Sequence, residues 1–245
     1  MGKTIFIGAR KGGVGKTMTA ASLGFGLARA GKRVLCVDAD SQHSLTVSLG
    51  ERKPDKLATT LATAMTDIIN ERAFEPTAGI LRHDEGVDFL PANSSLTGIE
   101  LALAPLIGRE TVLRQYIEKV KPLYDYIVLD TAPTLDLLTV NALAAADSVI
   151  IPVAPKYLDA LGLELLLKSV AQIRRQINPT LTIDGILLTM VDRRSRLTRE
   201  VIGKIEEAYG GNIRIFTDAR PPRKSAGTTL YCSRSQRVTS PFRLV

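Results

Sequence analysis

A glycine-rich loop between an apolar strand and a helix is the feature that most constrains the fold of this chain. Residues 3–17 read Lys-Thr-Ile-Phe-Ile-Gly-Ala-Arg-Lys-Gly-Gly-Val-Gly-Lys-Thr. Glycine lacks a Cβ and accepts a positive φ, so Gly12, Gly13 and Gly15 allow backbone N–H groups to turn inward toward a phosphate chain. The helix that follows adds the positive end of its dipole. The stretch therefore predicts a triphosphate cradle between the first strand and first helix of an α/β protein.

The side chains at the end of this loop predict a site for a triphosphate and Mg²⁺. Lys16 is placed to contact the β- and γ-phosphates, and the Thr17 hydroxyl is placed to ligate Mg²⁺. The predicted nucleotide-binding residues are Lys11, Gly12, Gly13, Val14, Gly15, Lys16, Thr17 and Met18. The alternative is an ordinary glycine turn between a strand and a helix, with lysines that contact no ligand.

The loop departs at one position from the common P-loop pattern G-x-x-x-x-G-K-[ST]. Arg10 stands where that pattern has its first glycine, and Lys11 follows it. Residues 11–17, Lys-Gly-Gly-Val-Gly-Lys-Thr, resemble the deviant Walker A motif of the ParA/MinD/nitrogenase-iron-protein ATPases. In that family a signature lysine reaches across a dimer interface to the nucleotide of the partner subunit. The resemblance implies that Lys11 acts in trans in a homodimer formed in the ATP state, with Lys16 as the second catalytic lysine.

Two aspartates follow the second predicted strand, residues 33–38. Asp38 and Asp40 would lie at its carboxyl end, where open α/β sheets bind ligands. Residues 37–42, Val-Asp-Ala-Asp-Ser-Gln, resemble the V-D-x-D-P-Q segment of the ParA family, whose second aspartate lies near the attacking water and the Mg²⁺ shell. The resemblance implies a catalytic role for Asp40, because a carboxylate there can orient water beside the γ-phosphate. An Asx turn or a helix cap at Asp40 is the alternative.

An apolar run ending in aspartate supplies the second predicted Mg²⁺ ligand. Residues 124–133 read Tyr-Asp-Tyr-Ile-Val-Leu-Asp-Thr-Ala-Pro, the pattern of a Walker B strand. Asp130 would face the Mg²⁺ held by the P-loop, so Thr17 and Asp130 are the predicted metal ligands. Residues 134–143 resemble the family's P-S-L-G-x-L-T-x-N-A-L with Asp136 in place of the glycine, which predicts a less flexible loop.

Two further segments carry weaker predictions. Residues 86–93 resemble the family's G-V-x-x-x-P-A-N/S, although an ordinary strand end fits them as well. In the helix predicted over residues 158–177, Leu161, Leu165 and Leu166 are expected on one face, the pattern of core or dimer packing.

The whole chain is predicted to form one α/β domain followed by a basic tail. With 245 residues, 45% of them hydrophobic, it can bury one large core. The predicted fold is that of a P-loop NTPase, a doubly wound, mostly parallel sheet flanked by helices, over residues 1–217. Residues 218–245 are predicted to be a divergent basic tail whose composition cannot bury a helix face. A truncated or frameshifted end, a DNA-binding arm and partly ordered structure are the alternatives for it.

An uneven positive charge predicts a polyanionic partner. The formal net charge is +7, and the excess is concentrated after about residue 190. The candidate DNA-binding residues are Arg193, Arg194, Arg196 and Arg199. They can neutralise phosphates without reading sequence, and no aromatic residue interleaves them, which favours nonspecific binding of double-stranded DNA. A solvated basic face is the alternative.

The apolar segments and the cysteines predict a cytoplasmic protein. The longest apolar stretches are too short or too interrupted to cross a bilayer, and the first residues lead into a strand rather than a signal sequence. Cys36 and Cys232 indicate neither a disulfide framework nor a metal site, so both are expected to be free thiols. We therefore expect the protein in the cytoplasm, associated with the nucleoid and without a membrane partner.

The resemblance covers about residues 3–216, and its motifs follow the order and spacing of ParA/Soj-type partition ATPases. It implies an ATPase for plasmid or chromosome segregation that dimerises on ATP, binds DNA nonspecifically and hydrolyses ATP slowly. A ParB-like centromere-binding protein is the implied partner that stimulates hydrolysis. The alternatives are a MinD-like membrane-associated positioning ATPase, a metal-carrier ATPase of the nitrogenase-iron-protein type, and a degenerate noncatalytic relative. The first requires a terminal amphipathic helix and the second requires paired cysteines, and the sequence offers neither.

Overall fold

The computed structural model describes residues 2–192 and 194–217. Within them the strands are β1 (Lys3–Ile7), β2 (Val34–Ala39), β3 (Leu81–Arg82), β4 (Asp88–Leu90), β5 (Tyr126–Thr131), β6 (Ser148–Val153), β7 (Thr182–Leu188) and β8 (Ile215–Thr217). The helices are α1 (Lys16–Arg29), α2 (Ser44–Ser48), α3 (Leu61–Ile69), α4 (Leu96–Leu103), α5 (Val112–Val120), α6 (Leu137–Ala145), α7 (Tyr157–Gln176) and α8 (Arg196–Tyr209). Arg193, Cys232 and the predicted tail, residues 218–245, lie outside the described residues.

The described strands form one sheet in the order β3-β4-β2-β5-β1-β6-β7-β8. Neighbouring strands are parallel except β3 and β4, which pair antiparallel at one edge. The chain starts at β1 inside the sheet, moves toward one edge through β2 and β4, and later moves to the other edge through β6 and β7. The winding therefore reverses beside β1, which is where such sheets bind ligands at their carboxyl ends. The predicted doubly wound, mostly parallel fold is confirmed.

Helices cover the two faces of this sheet with separate cores. On one face α1 packs against a cluster that includes Ile7 and Val128, and on the other α3 to α8 pack against a larger cluster that includes Phe6. Side chains in parallel register share a face of the sheet. Asp130 is in register with Ile7 and with Asp38. Both carboxylates therefore lie on the face that α1 covers, directly beneath the helix that starts at the glycine-rich loop.

Gly24 lets α1 lie close to β2. A Cβ at Gly24 would come within 2.7 Å of the Cys36 Sγ atom, so any larger residue would push the helix away from the sheet. Cys36 is a free thiol, as predicted, and it is fully buried. Burial raises the pKa of the Cys36 thiol to about 12, so this thiol is inert and serves packing.

The predicted leucine face of α7 is wrong in part. Leu166 is buried in the core, whereas Leu161 and Leu165 are 48% and 50% exposed. At about 100° per residue, Leu161 and Leu165 share a side of the helix that Leu166 does not. The core side is instead formed with Leu163 and Val170. Among the described helices, none combines the length and apolar character needed to cross a membrane.

Candidate active site

The glycine-rich loop has the backbone geometry of a phosphate cradle. Gly13 and Gly15 have φ angles of 73° and 84°, in the left-handed region that glycine adopts most readily. A Cβ built on Gly12 or Gly13 meets nothing within 4 Å, so the space above the loop is open. Gly15 is the N-cap of α1, and no described side chain caps this helix or places an acid in its first turn. The first N–H groups of α1 are therefore left for an anion.

Lys16 is buried in the site, where its ammonium binds the loop backbone and is influenced by the charges of two carboxylates. Its side chain is buried, at 8% exposure, and the Nζ atom donates to the Lys11 carbonyl at 3.4 Å. Burial lowers the pKa of the Lys16 ammonium, while the charges of Asp130 and Asp40 oppose that change. The sequence placed Lys16, Asp40 and Asp130 in three separate motifs, and the fold brings their charges together.

Asp130 is a buried carboxylate with the properties of a metal ligand. The residue is 1% exposed, and within residues 2–192 and 194–217 neither carboxylate oxygen has a hydrogen-bond partner. Burial, and then the Asp38 charge, raise the pKa of Asp130 to about 7, while Thr17 and Lys16 act in the opposite direction. Neither Thr17 nor Lys16 makes a hydrogen bond of normal geometry to a carboxylate oxygen of Asp130. An unpartnered buried carboxylate is costly unless a cation binds it. The Thr17 hydroxyl and the Asp130 carboxylate therefore fit Mg²⁺, which prefers oxygen ligands and would complete its shell with phosphate and water.

Asp40 lies at the start of the loop between β2 and α2. Its residue exposure is 9%, and its Oδ1 atom accepts a hydrogen bond from the Gln42 N–H at 2.9 Å. The Asx turn considered as an alternative from the sequence is therefore present. It does not exclude catalysis, because the same carboxylate lies close enough to influence the pKa of Lys16. The turn shapes the backbone that carries the carboxylate.

A threonine that sequence reasoning missed anchors the loop from the far side. Thr189, just after β7, donates its hydroxyl to the Val14 carbonyl at 2.8 Å. Met190 follows with a φ of 51°, which is unusual for a residue other than glycine. Thr131 makes a similar link at the end of β5, where its hydroxyl donates to the Ile7 carbonyl at 3.2 Å. The available signal was a hydroxyl residue at or just after the end of each apolar strand, at the ligand edge of the sheet.

Asp136 caps the helix that follows the Walker B strand. Its Oδ1 atom accepts from the Thr139 N–H at 2.8 Å, and its Oδ2 atom accepts from the Thr134 hydroxyl. The carboxylate therefore satisfies a free N–H group in the first turn of α6 and ties down the preceding loop. That aspartate in place of glycine makes this loop less flexible than in relatives stays a prediction.

The described candidate DNA-binding arginines lie together at the start of α8, away from the glycine-rich loop in sequence. Arg194, Arg196 and Arg199 are exposed, while Ser195 caps the helix by accepting from the Thr198 N–H at 3.3 Å. The Arg196 Nε atom pairs with Glu200 at 3.0 Å, although both side chains remain largely in solvent. Residues 192–209 contain five basic and four acidic side chains. The basic character is therefore confined to the first turns of the helix.

Comparisons with known proteins identify the family of this chain. A family model described as an AAA domain matches residues 2–183. Soj of Bacillus subtilis, named a sporulation initiation inhibitor protein, is 43% identical over 215 residues, which cover 87% of this chain and 82% of that protein. The chromosome partitioning protein ParA of Caulobacter vibrioides is 35% identical over 213 residues, which cover 86% of this chain and 78% of that protein.

Solved structures show the same fold with nucleotide and metal. A Mycobacterium smegmatis protein named cobyrinic acid a,c-diamide synthase, with bound ADP and magnesium, is 35% identical with a TM-score of 0.83, covering 92% of this chain and 89% of that chain. A plasmid partition protein of Borrelia burgdorferi is 28% identical with a TM-score of 0.70, covering 87% of each chain. Sequence, fold and site agree: the chain belongs to the ParA/Soj family of partition ATPases, whose P-loop binds ATP and Mg²⁺.

Proposed function

We propose that this protein is a DNA-partition switch that closes into a homodimer on Mg-ATP, binds double-stranded DNA nonspecifically in that state and reopens on slow hydrolysis. A ParB-like centromere-binding protein would stimulate hydrolysis and so set the lifetime of the dimer. The observation that carries the proposal is the buried Asp130 carboxylate, which has no hydrogen-bond partner among the described residues and whose charge acts on Lys16 together with that of Asp40. A buried carboxylate without a partner costs free energy in the protein alone, whereas two carboxylates and a lysine at one site suit the binding of a triphosphate and Mg²⁺.

The proposed chemistry divides among four side chains. Lys16 and the N–H groups at the start of α1 bind and neutralise the β- and γ-phosphates, while Thr17 and Asp130 hold Mg²⁺, which supplies further neutralisation of the developing charge. Asp40 orients the attacking water. Positioning and electrostatics account for most of phosphoryl-transfer catalysis, so this chain needs no covalent intermediate.

The surface around the glycine-rich loop supports a second copy as the partner. Met18, Leu135 and Met190 are 52%, 37% and 51% exposed, and each follows a strand or loop that ends at the ligand edge of the sheet. Exposed apolar side chains around a charged site favour protein contact over free solvent. A second subunit there would exclude water and bring its own Lys11 toward the triphosphate.

We expect the wild-type protein to be a dimer in Mg-AMP-PNP and a monomer in Mg-ADP, because the γ-phosphate is the group that Lys11 of a second subunit would bind. Sedimentation velocity at several protein concentrations measures this directly. A Leu135→Glu variant places a charge in the apolar rim without changing any predicted nucleotide-binding residue, and it should bind AMP-PNP but remain monomeric. A wild-type protein that stays monomeric in saturating Mg-AMP-PNP contradicts the proposed switch.

DNA binding is expected to respond in opposite directions to two neighbouring changes on α8. Arg199→Ala should weaken binding equally on unrelated duplexes and reduce the slope of log affinity against log salt by about 1. Glu200→Gln should strengthen binding, because it removes a negative charge and frees Arg196 from its pair. Fluorescence anisotropy in Mg-AMP-PNP over a KCl series measures both. If neither variant changes DNA binding, the arginines at the start of α8 form a solvated basic face and not a DNA-binding site.

A further inference from the structure

Asp38 is a buried carboxylate next to the site, and the proposed chemistry gives it no role. It is 1% exposed and lies in register with Asp130 on the neighbouring strand. Its Oδ2 atom accepts from the Thr46 N–H and from the Thr46 hydroxyl, both at 2.7 Å, and its Oδ1 atom accepts from the Asp40 N–H at 3.2 Å. Three hydrogen bonds to one ionised group make a strong, geometrically fixed anchor. Asp38 thus holds both ends of the loop that carries Asp40.

Thr46 extends this anchor into another part of the sheet. Its side chain is fully buried, and besides donating to Asp38 its hydroxyl accepts from the Ala92 N–H at 2.9 Å. Thr46 belongs to the first turn of α2, whose N-cap, His43, makes no side-chain capping bond. Asp38 therefore satisfies the helix N–H group that a local cap would otherwise take.

The segment after β4 is held in turn by α3, which gives its P-A-N pattern a structural role. The Pro91 carbonyl accepts from the Leu61 N–H at 2.9 Å, and the Asn93 side chain accepts from the Thr60 hydroxyl at 3.3 Å. The Ala92 N–H that lies between them is therefore a fixed donor. A continuous path of hydrogen bonds joins the ends of β2 and β4 to the start of α2.

Local contacts shape the Asp40 turn, but they do not fix its place relative to the sheet. The Gln42 N–H donates to the Asp40 side chain at 2.9 Å and the His43 N–H donates to the Asp40 carbonyl at 2.8 Å. These bonds lie within the turn and would move with it. The bonds through Asp38 and Thr46 are the ones that tie the turn to β2 and β4.

We infer that Asp38 and Thr46 are positioning residues that hold Asp40 where it can orient water at the triphosphate cradle, an inference that rests on the proposed role of Asp40. Neither residue needs to touch ATP for this. A displacement of a reacting group by about 1 Å can reduce a rate about 100-fold, so loss of the anchor should act on hydrolysis rather than on binding.

Thr46→Val tests the inference, because it removes the hydroxyl and keeps the branched shape. We expect kcat for ATP hydrolysis to fall about 10- to 100-fold. The Kd for Mg-AMP-PNP should stay within about twofold, because the glycine-rich loop is unchanged. Thr46→Ser keeps the hydroxyl and should restore kcat to within about threefold of the wild type. Steady-state hydrolysis and calorimetry measure the two quantities.

Two further variants make the outcome decisive. Thr4→Val is the matched control, since Thr4 is fully buried and its hydroxyl has no partner among the described residues, so its kcat should equal that of the wild type. If thermal melting shows that Thr46→Val does not fold, Asp38→Asn takes its place. It should likewise lower kcat and leave the Kd for Mg-AMP-PNP unchanged. A folded Thr46→Val or Asp38→Asn variant with wild-type kcat, beside an inactive Asp40→Ala, overturns the inference alone. Wild-type hydrolysis by Asp40→Ala overturns the proposed role of Asp40 and the inference with it.

Discussion

Lys16→Ala is expected to reduce ATP hydrolysis by about 100- to 1,000-fold, the range found when one preorganised charge-stabilising donor is removed from an active site. Lys16 is buried at the end of the loop, and the charges of Asp130 and Asp40 act on its ammonium, so its loss removes a cation placed inside the site. Binding should weaken as well, because the ammonium contacts the phosphates in the ground state and in the transition state. Steady-state hydrolysis and calorimetric titration with Mg-AMP-PNP measure the two effects.

The control for this change is Lys32→Ala, which removes an exposed lysine just beyond α1 and leaves the loop intact. It should match the wild type in both assays. Thermal melting establishes that each variant is folded, since Lys16 also offsets the negative charge of Asp130 in the apo protein. A folded Lys16→Ala protein with wild-type hydrolysis would exclude the glycine-rich loop as the active site.

The cradle was predictable because its determinants are consecutive in the sequence. The positive φ of Gly13 and Gly15 and the start of α1 at Lys16 are local consequences of residue type. Strand ends were also predictable, because apolar runs that stop at Asp38 and Asp130 place polar groups at one edge of a parallel sheet. The carboxylates were therefore assigned correctly to the same edge.

The contacts that fix the site could not be predicted, because they join segments far apart in the chain. The bond from Thr189 to Val14 spans 175 residues, and the bond from Ala92 to Thr46 spans 46. Each bond depends on an ordinary threonine, one just after β7 and one in the first turn of α2, and threonine hydrogen-bonds its own neighbours just as readily. The prediction for the leucines of α7 was wrong in part for a related reason. The sequence shows the spacing of apolar residues along the helix, but it does not show which side of the helix meets the sheet.

Lys11→Ala is expected to keep ATP binding and to lose at least about 100-fold in hydrolysis, by analogy with cations supplied in trans, which are worth roughly 10³- to 10⁵-fold in other phosphoryl-transfer switches. The structure shows the Lys11 carbonyl bound to Lys16 within its own subunit. That bond uses the backbone of Lys11 and survives the substitution, so the P-loop should keep its shape. Calorimetry with Mg-AMP-PNP and sedimentation velocity should therefore report a nucleotide-bound monomer.

Mixing two inactive variants decides whether Lys11 acts across the interface. A heterodimer of Lys11→Ala and Lys16→Ala contains one complete site, in which the first subunit supplies Lys16 and the second supplies Lys11. Only the mixed dimer contains a complete site, so hydrolysis in an equal mixture should rise well above that of either variant alone. If Lys11 served its own subunit, each polypeptide would lack one lysine in its own nucleotide site, and the mixture would be as inactive as its components. Titrating one variant into the other also separates this result from contamination, because recovery in trans passes through a maximum at equal amounts.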